Sequence, residues 1–172
     1  SKMNDLCYEI GYRSVNHDGE QLCGDHIEVV ETNDNSSVVV LADGLGSGVK
    51  ASILSTLTSK IISTLISEGL SIEECVKTIA TTLPVCSVRG VAYSTFSILH
   101  FENNERVEII QYDNPTVLLL REGQNVEYDK TLLQIEGKKI YRSSIDLKED
   151  DVIVAMSDGC PHAGLGIKYN FG

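Results

Sequence analysis

The sequence lacks several features that would place it in a specialised class of protein. No apolar run reaches the roughly 20 residues of a membrane-spanning helix, and no signal peptide is visible. Basic residues are scarce: 14 Lys and Arg against 25 Asp and Glu give a formal net charge of −11. Because nucleic acids are bound by basic surfaces, this charge argues against a nucleic-acid partner.

The cysteines and histidines show no spacing typical of a metal or redox site. The five cysteines are odd in number and contain no CxxC pair, so we expect neither a disulfide framework nor a zinc site. We expect a cytoplasmic location, because free cysteines are typical of a reducing compartment. His26 adjoins Asp25 and His162 follows Asp158, so each histidine is a candidate acid or neighbour of a ligand. An ordinary surface or loop role is the alternative for both.

Familiar motifs for other catalytic mechanisms are also missing. The sequence has no G-x-S-x-G elbow and no G-x-G-x-x-G fingerprint. Cys7, Arg13 and Ser14 match the C-x5-R-S spacing of cysteine-dependent phosphatases, which need a loop of backbone amides leading into a helix. The residues between Cys7 and Arg13 alternate like a strand, and we therefore favour a strand over that loop.

The most informative stretch is a buried strand that runs into Asp-Gly. Val38–Ala42 is an unbroken apolar run, followed by Asp43, Gly44 and then a helical pattern. A second apolar run, Asp151–Met156, leads in the same way into Asp158 and a glycine. Two buried strands that each end in Asp-Gly can deliver two carboxylates to one edge of a sheet.

Three aspartates are therefore candidates for chemistry, namely Asp25, Asp43 and Asp158, each at a predicted strand boundary beside a glycine. Clustered carboxylates repel one another unless cations lie between them, and oxygen ligands favour Mg²⁺ or Mn²⁺ over Zn²⁺. Two such ions about 3.5–4 Å apart can activate water towards a phosphorus atom. The glycine at 44 would let a backbone carbonyl approach the same ligand. The alternative is that these aspartates only form turns.

The remaining pattern predicts an α+β domain. Alternation over residues 6–13 predicts a first strand, and a hairpin leads from Ile27–Glu31 into the 38–42 strand. Helical periodicity predicts a helix over Val49–Glu68, with an apolar stripe that should be buried, and Gly69 should end it. A second helix is predicted over Ser71–Leu83, opened by a capping box of Ser71 and Glu74. The stripe consists of Val49, Ile53, Leu54, Leu57, Ile61, Ile62, Leu65 and Ile66. Further strands are predicted at Val91–Phe101, Val107–Tyr112, Val117–Arg121, Val126–Asp129, Ile140–Leu147 and Val152–Ser157.

Taken in order, these motifs resemble the metal-dependent protein phosphatases (PPM superfamily), and within them the bacterial branch typified by stage II sporulation protein E (SpoIIE). The matching stretches run from about Ile10 to Gly159. They are Gly24-Asp25, ADGLGSG at 42–48, YSTF at 93–96, Asn114-Pro115 and MSDG at 156–159. We interpret residues 1–172 as one domain of this type.

The resemblance implies a layered β-sandwich of mainly antiparallel sheets flanked by helices, with two Mn²⁺ or Mg²⁺ ions at one end. Asp43 would bridge both ions, Asp25 and the Gly44 carbonyl would serve one, and Asp158 the other. The implied reaction is hydrolysis of phosphoserine or phosphothreonine in a protein by metal-activated water. An anti-anti-sigma-like protein is the implied substrate, and a homodimer is a further expectation.

One departure from the family and one regulatory feature complete these expectations. Family members carry a final strand with Asp-Asp-x-Thr that completes the metal site, and no such motif occurs up to Gly172. We therefore expect a domain without its C-terminal segment, and a non-catalytic module that binds a partner is the alternative function. In the family the first two helices are implicated in switching and dimer contacts, which makes Val49, Ile53 and Leu57 candidate regulatory residues.

Overall fold

The computed structural model describes residues 6–13, 23–31, 36–47, 49–82, 94–102, 105–157 and 164–171. Within these residues the chain forms two α-helices, α1 (Val49–Ser67) and α2 (Ile72–Thr82), and eleven β-strands. The strands are β1 (Leu6–Arg13), β2 (Cys23–Glu31), β3 (Ser37–Ser47), β4 (Thr95–Glu102), β5 (Arg106–Tyr112), β6 (Leu118–Arg121), β7 (Gln124–Val126), β8 (Thr131–Ile135), β9 (Lys138–Asp146), β10 (Val152–Met156) and β11 (Gly164–Phe171).

The strands form two antiparallel sheets. Sheet A has the order β1-β11-β10-β6-β7, and sheet B has the order β2-β3-β4-β5-β9-β8. One apolar cluster fills the space between the sheets and includes Leu41, Leu99 and Ile153. A second cluster lies between the other face of sheet B and the helices. The predicted layered sandwich flanked by helices is therefore confirmed.

Strand β3 is longer than its apolar run predicts. It continues through Asp43 and Gly44 to Ser47, so the expectation of a strand that ends at Ala42 was wrong. The reason is that β2 pairs with β3 beyond Asp43, as far as Cys23 opposite Ser47, and that β4 begins opposite Asp43. Cross-strand pairing overrides the local turn signal of Asp-Gly.

The helix ends follow the predicted signals. α1 ends in a Schellman motif, in which Gly69 (φ 90°) donates from its N–H to the Ile66 carbonyl (2.9 Å) and the N–H of Leu70 donates to the Leu65 carbonyl (3.0 Å). The predicted capping box of α2 is confirmed. The Ser71 N–H donates to Glu74 Oε2 (2.8 Å) and the Glu74 N–H donates to Ser71 Oγ (3.2 Å).

The prediction for the buried face of α1 was wrong in the first half of the helix. Val49, Ile53 and Leu57 are 62, 53 and 40% exposed, whereas the buried Ile62 and Ile66 lie on the opposite face of the helix. Small side chains face the sheet instead, because α1 lies close to β2 and β3 and only small side chains fit between them. These buried residues are Ala51, Ser55, Thr58, Ser59 and Ser63.

α1 is also the one helix in the described ranges whose length and apolar composition would suit a membrane span. In this fold it covers sheet B. The buried hydroxyls form hydrogen bonds within the helix itself: Ser55, Ser59 and Ser63 donate to the carbonyls of Ser52, Thr56 and Lys60 at 3.0–3.1 Å. Their burial therefore leaves these hydroxyls satisfied.

Two strands, β8 and β11, were not predicted. β8 forms a hairpin with β9 through Glu136 (φ 50°) and Gly137 (φ 75°), a pair of left-handed residues typical of a two-residue hairpin turn. β11 lies between β1 and β10 in sheet A. Gly164 and Gly166 weaken its sequence pattern, because glycine is depleted in strands, but Leu165 and Ile167 reach the core between the sheets.

Candidate metal centre

The buried carboxylate of Asp43 lies at one end of the sandwich. Alternate residues of β3 point to opposite faces, and Val39 and Leu41 belong to the core between the sheets. Asp43 continues this set of positions, so it faces sheet A, and it is only 3% exposed. We call this end of the sandwich the Asp43 end.

Asp25 is brought directly opposite Asp43. The two residues are register partners in the β2–β3 pair, next to a β-bulge between Cys23 and Asp25. Directly opposite positions in antiparallel strands lie on the same face, with Cα atoms about 4.5–5.5 Å apart. The structure thus brings two of the three predicted aspartates together, and bulges commonly redirect a strand beside a functional site.

The third aspartate, Asp158, lies outside the described residues, as does His162. The strand that leads to it is described. β10 runs antiparallel to β6, with Val154 opposite Leu118 at the start of β6. The connection from β5 to β6 begins beside the Asp43 end, because Tyr112 pairs with Phe96 in β4. The C-terminal end of β10 is therefore at the same end of the sandwich as Asp43.

Gly44 has a packing role that the sequence did not reveal. A Cβ atom added to Gly44 would lie 1.9 Å from the backbone oxygen of Ala51 and 2.5 Å from its carbonyl carbon, closer than atoms can approach. Only glycine allows the first turn of α1 to come this close to β3. Whether the Gly44 carbonyl also binds a metal stays a prediction.

Asn114 connects β3 and β4 at the Asp43 end. Its Oδ1 accepts a hydrogen bond from Thr95 Oγ1 (2.9 Å), and its Nδ2 donates to the Leu41 carbonyl (3.3 Å) and to Ser97 Oγ (3.1 Å). Thr95 is the register partner of Asp43 in β4. The family resemblance included Asn114-Pro115, but the sequence alone did not indicate these contacts.

A second set of neutral hydrogen bonds holds the far side of the β5–β6 connection. The Val117 N–H donates to Gln111 Oε1 (2.8 Å), and Gln111 Nε2 donates to the Tyr128 hydroxyl (3.3 Å). The Tyr128 hydroxyl in turn donates to the Val117 carbonyl. Burial raises the pKa of Tyr128, and the hydrogen bond from Gln111 partly offsets this rise.

An open groove of about 550 Å³ lies beside this connection. Its apolar lining includes Val117 and Val126, and its exposed rim includes Glu127, Asp129 and Lys130. It begins at Thr116, two residues after Asn114. The groove is therefore adjacent to the Asp43 end and open to solvent.

The donor set at the Asp43 end fits a hard divalent cation. Positions 25 and 43 both supply carboxylates, which are the ligands that Mg²⁺ and Mn²⁺ prefer. Among the side chains that the structure describes, no three His, Cys, Asp or Glu residues form a group that could hold a metal ion. That set does not include the Asp25 side chain or Asp158, so a site built from these residues would extend beyond it.

Other candidate residues lie elsewhere. His26 Nε2 contacts Glu28 Oε2 (2.9 Å), and the alternation of β2 places it on the face opposite to position 25. Cys7 and Arg13 lie in β1, which pairs with β11 residue by residue, so the cysteine-phosphatase loop is excluded. Cys75 is buried, and burial raises the pKa of its thiol to about 12, which makes it a poor nucleophile.

Comparison with solved structures identifies the class of fold. The chain superposes on the PP2C phosphatase domain with a regulatory fragment of SpoIIE from Bacillus subtilis (TM-score 0.76, 14% identity, 98% of this chain and 63% of that chain). It is similar to the RsbU and RsbW domains of Rv1364c from Mycobacterium tuberculosis (0.67, 19%, 91% and 45%). It is also similar to RsbX in complex with magnesium (0.65, 17%, 97% and 96%). The chain thus has the fold of PP2C-type phosphatase domains and spans only part of the first two proteins.

A family comparison makes the assignment more specific. The family model described as stage II sporulation protein E (SpoIIE) matches residues 33–168. The chain therefore belongs to the SpoIIE family, as the sequence motifs indicated. No curated protein sequence matches it.

Proposed function

We propose that this domain hydrolyses phosphoserine or phosphothreonine in a protein substrate, using Mn²⁺ or Mg²⁺ held at the Asp43 end. The observation that carries the proposal is the pairing of Asp25 with the buried Asp43 at one ladder position, at the sandwich end where β10 leads towards Asp158. Membership of the SpoIIE family supports the reaction class.

In this proposal Asp43, Asp25, the Gly44 carbonyl and Asp158 would together hold the two cations. When bound, the two cations would supply an activated water and neutralise charge on the phosphoryl group. The residues of the chain hold and orient the site: β2, β3 and β10 fix the ligand positions, and the sheets exclude water from one side of Asp43. The similarity to a magnesium complex of RsbX supports the choice of metal.

The groove beside the β5–β6 connection supports a protein substrate. It would accept the residues that flank a phosphorylated side chain, because it begins close to Asn114 and stays open to solvent. We propose a small phosphoprotein regulator of the anti-anti-sigma type as the partner, and the similarity to RsbU, RsbW and RsbX supports this choice.

The exposed ridge of α1, formed by Val49, Ile53 and Leu57, is proposed as a regulatory or homodimer contact. Because α1 touches Gly44 through Ala51, a shift of the helix would move the residue next to Asp43. Ile53→Gln should therefore change the affinity for Mn²⁺ or the oligomeric state in sedimentation experiments. Unchanged values for both would contradict the proposal.

The test of the catalytic function is release of phosphate from p-nitrophenyl phosphate with and without Mn²⁺. We expect Mn²⁺-dependent release, and a loss of at least about 100-fold in Asp43→Asn, because even partners of a metal ligand typically contribute 10–100-fold. Asp146→Asn is the matched control, since this carboxylate is 87% exposed and lies at the end of the sandwich opposite to Asp43.

Equal release by the wild type and Asp43→Asn would contradict the assignment of the site. A folded wild type that releases no phosphate with any divalent cation would instead favour the non-catalytic binding module.

A further inference from the structure

We propose that Asn114 is a positioning residue that keeps Asp43 in its metal-binding place by joining β3 to β4; this inference rests on the proposed metal site. Asn114 is not itself a ligand in this proposal. Its side chain acts through Thr95, Ser97 and the backbone of Leu41.

The contacts of Asn114 surround the position of Asp43. Thr95 lies opposite Asp43 in the β3–β4 pair, and Ser97 lies opposite Leu41. Asn114 therefore forms hydrogen bonds with both β3 and β4. One bond is to Thr95, opposite Asp43, and the other two are to Leu41 and Ser97, two residues further along each strand. Because alternate residues share a face, Thr95, Ser97 and Asp43 all face the space between the sheets.

The chemistry of the amide explains why asparagine suits this place. One planar group accepts from the Thr95 hydroxyl and donates to two oxygens, the Leu41 carbonyl and Ser97 Oγ. An apolar side chain of similar size would leave these groups without those bonds. An aspartate would lose both donations and add negative charge near Asp43.

Asn114 is itself held from both directions along the chain. Asp113 before it has a left-handed backbone (φ 52°), which turns the chain out of β5. After it, Gln111 and Tyr128 fix Val117 through hydrogen bonds to its N–H and carbonyl. The Asn114 amide therefore contacts β3 and β4 from a β5–β6 connection that is fixed at both ends. A metal site needs ligands held in place by such supporting contacts.

The test measures Mn²⁺ affinity by calorimetry on the whole chain, together with the melting temperature of the metal-free protein. We expect Asn114→Leu and Thr95→Val to weaken Mn²⁺ binding about 10–100-fold, as the loss of partners of metal ligands does. Thr95→Ser retains the hydroxyl and should bind like the wild type. Arg121→Met, which breaks an ion pair at the opposite end of the sandwich, controls for general loss of stability.

A second measurement does not involve metal. Amide hydrogen exchange in the metal-free protein should be faster at Ala42 and Asp43 in Asn114→Leu than in the wild type, while exchange in β9 is unchanged. If Asn114→Leu does not fold, the comparison of Thr95→Val with Thr95→Ser carries the test.

The outcomes separate this inference from the proposed function. Wild-type Mn²⁺ binding that persists unchanged in Asn114→Leu and Thr95→Val would overturn the role of Asn114 and leave the metal site intact. Equal weakening in Arg121→Met would also overturn it, because the effect would then follow stability alone. A wild type that binds no Mn²⁺ would overturn both proposals.

Discussion

The two ends of the sandwich each bury a carboxylate, but they surround it differently. At the end opposite to Asp43, which we call the far end, Asp151 is 0% exposed. It forms a two-point ion pair with Arg121 (Nε to Oδ1 2.9 Å, Nη2 to Oδ2 2.8 Å). At the Asp43 end, the ladder partners of the buried carboxylate are Asp25 and Thr95. Arg121 thus supplies a cation for Asp151, whereas the register partner of Asp43 in β2 is a second aspartate.

The ion pair of Arg121 with Asp151 has a structural role. A buried charge is costly unless it is paired, and Arg121 pairs with Asp151 while the Lys148 N–H adds a further hydrogen bond (2.8 Å). Such an arrangement ties β6 to the turn before β10 and needs nothing from solution. In the proposed function the aspartates at positions 25 and 43 bind a divalent cation, while the Asn114 amide and the Thr95 hydroxyl hold β4 opposite Asp43 without adding charge.

The largest effect on stability is expected at the far end. Arg121→Met leaves the Asp151 carboxylate buried without its cation, so we expect a loss of about 3 kcal/mol in the free energy of unfolding. Urea unfolding measures this loss, and Mn²⁺ affinity should stay at the wild-type value.

The double variant Arg121→Met with Asp151→Asn sharpens this comparison. It removes the charge as well as its partner, so it should recover most of the stability lost in the single variant. A double variant no more stable than Arg121→Met would mean that packing of the arginine, rather than its charge, accounts for the loss.

The next effect concerns the Asp43 end. Gly44→Ala forces its new methyl group against the Ala51 carbonyl, so we expect a loss of about 1–3 kcal/mol and weaker Mn²⁺ binding. Gly123→Ala is the glycine control: its φ of 75° disfavours alanine by about 1 kcal/mol, but no atom lies within 4 Å of the new methyl group. Its Mn²⁺ affinity should be unchanged. Normal Mn²⁺ binding by Gly44→Ala would show that the contact with α1 does not reach the metal site.

The smallest effect tests the neutral hydrogen bonds at the Asp43 end. Tyr128→Phe removes the hydroxyl that Gln111 and Val117 share, which should cost about 1 kcal/mol at pH 8. Because burial raises the pKa of Tyr128 above its usual 10, its contribution is fully present below pH 10 and is lost as the pH rises through the higher value of the folded state.

The difference in unfolding midpoint between wild type and Tyr128→Phe should accordingly narrow above pH 10. Tyr141→Phe is the control, since Tyr141 is 39% exposed on β9. A difference that stays constant from pH 8 to pH 11 would be evidence against a buried, neutral phenol.

The parts of the fold that local patterns determine could be predicted from the sequence. The Schellman glycine and the capping box have signals within a few residues, and both occur where expected. The end of β3 could not be predicted in this way, since it depends on pairing with β2 and β4. β11 contains two glycines and is held by its neighbours β1 and β10 rather than by its own propensity.

In the candidate site, too, local patterns predicted some residues, while long-range contacts determined others. The position of Asp25 and Asp43 at predicted strand boundaries beside glycine made them candidates, and the structure pairs the two in register. The contacts of Asn114 could not be inferred, because they join residues 17 to 73 positions apart in the chain. The buried face of α1 was misassigned because periodicity detects apolar side chains, whereas close approach to the sheet selects small ones.

The small residues of α1 set the height of the helix above sheet B. Ala51, Ser55, Ser59 and Ser63 present a smooth surface with little volume, and exchange among alanine, serine and glycine would hardly alter it. A leucine at any of these positions would push α1 away from sheet B. The first turn of α1, which packs on Gly44, would move with the rest of the helix. A substitution several turns away would therefore change the packing next to Asp43.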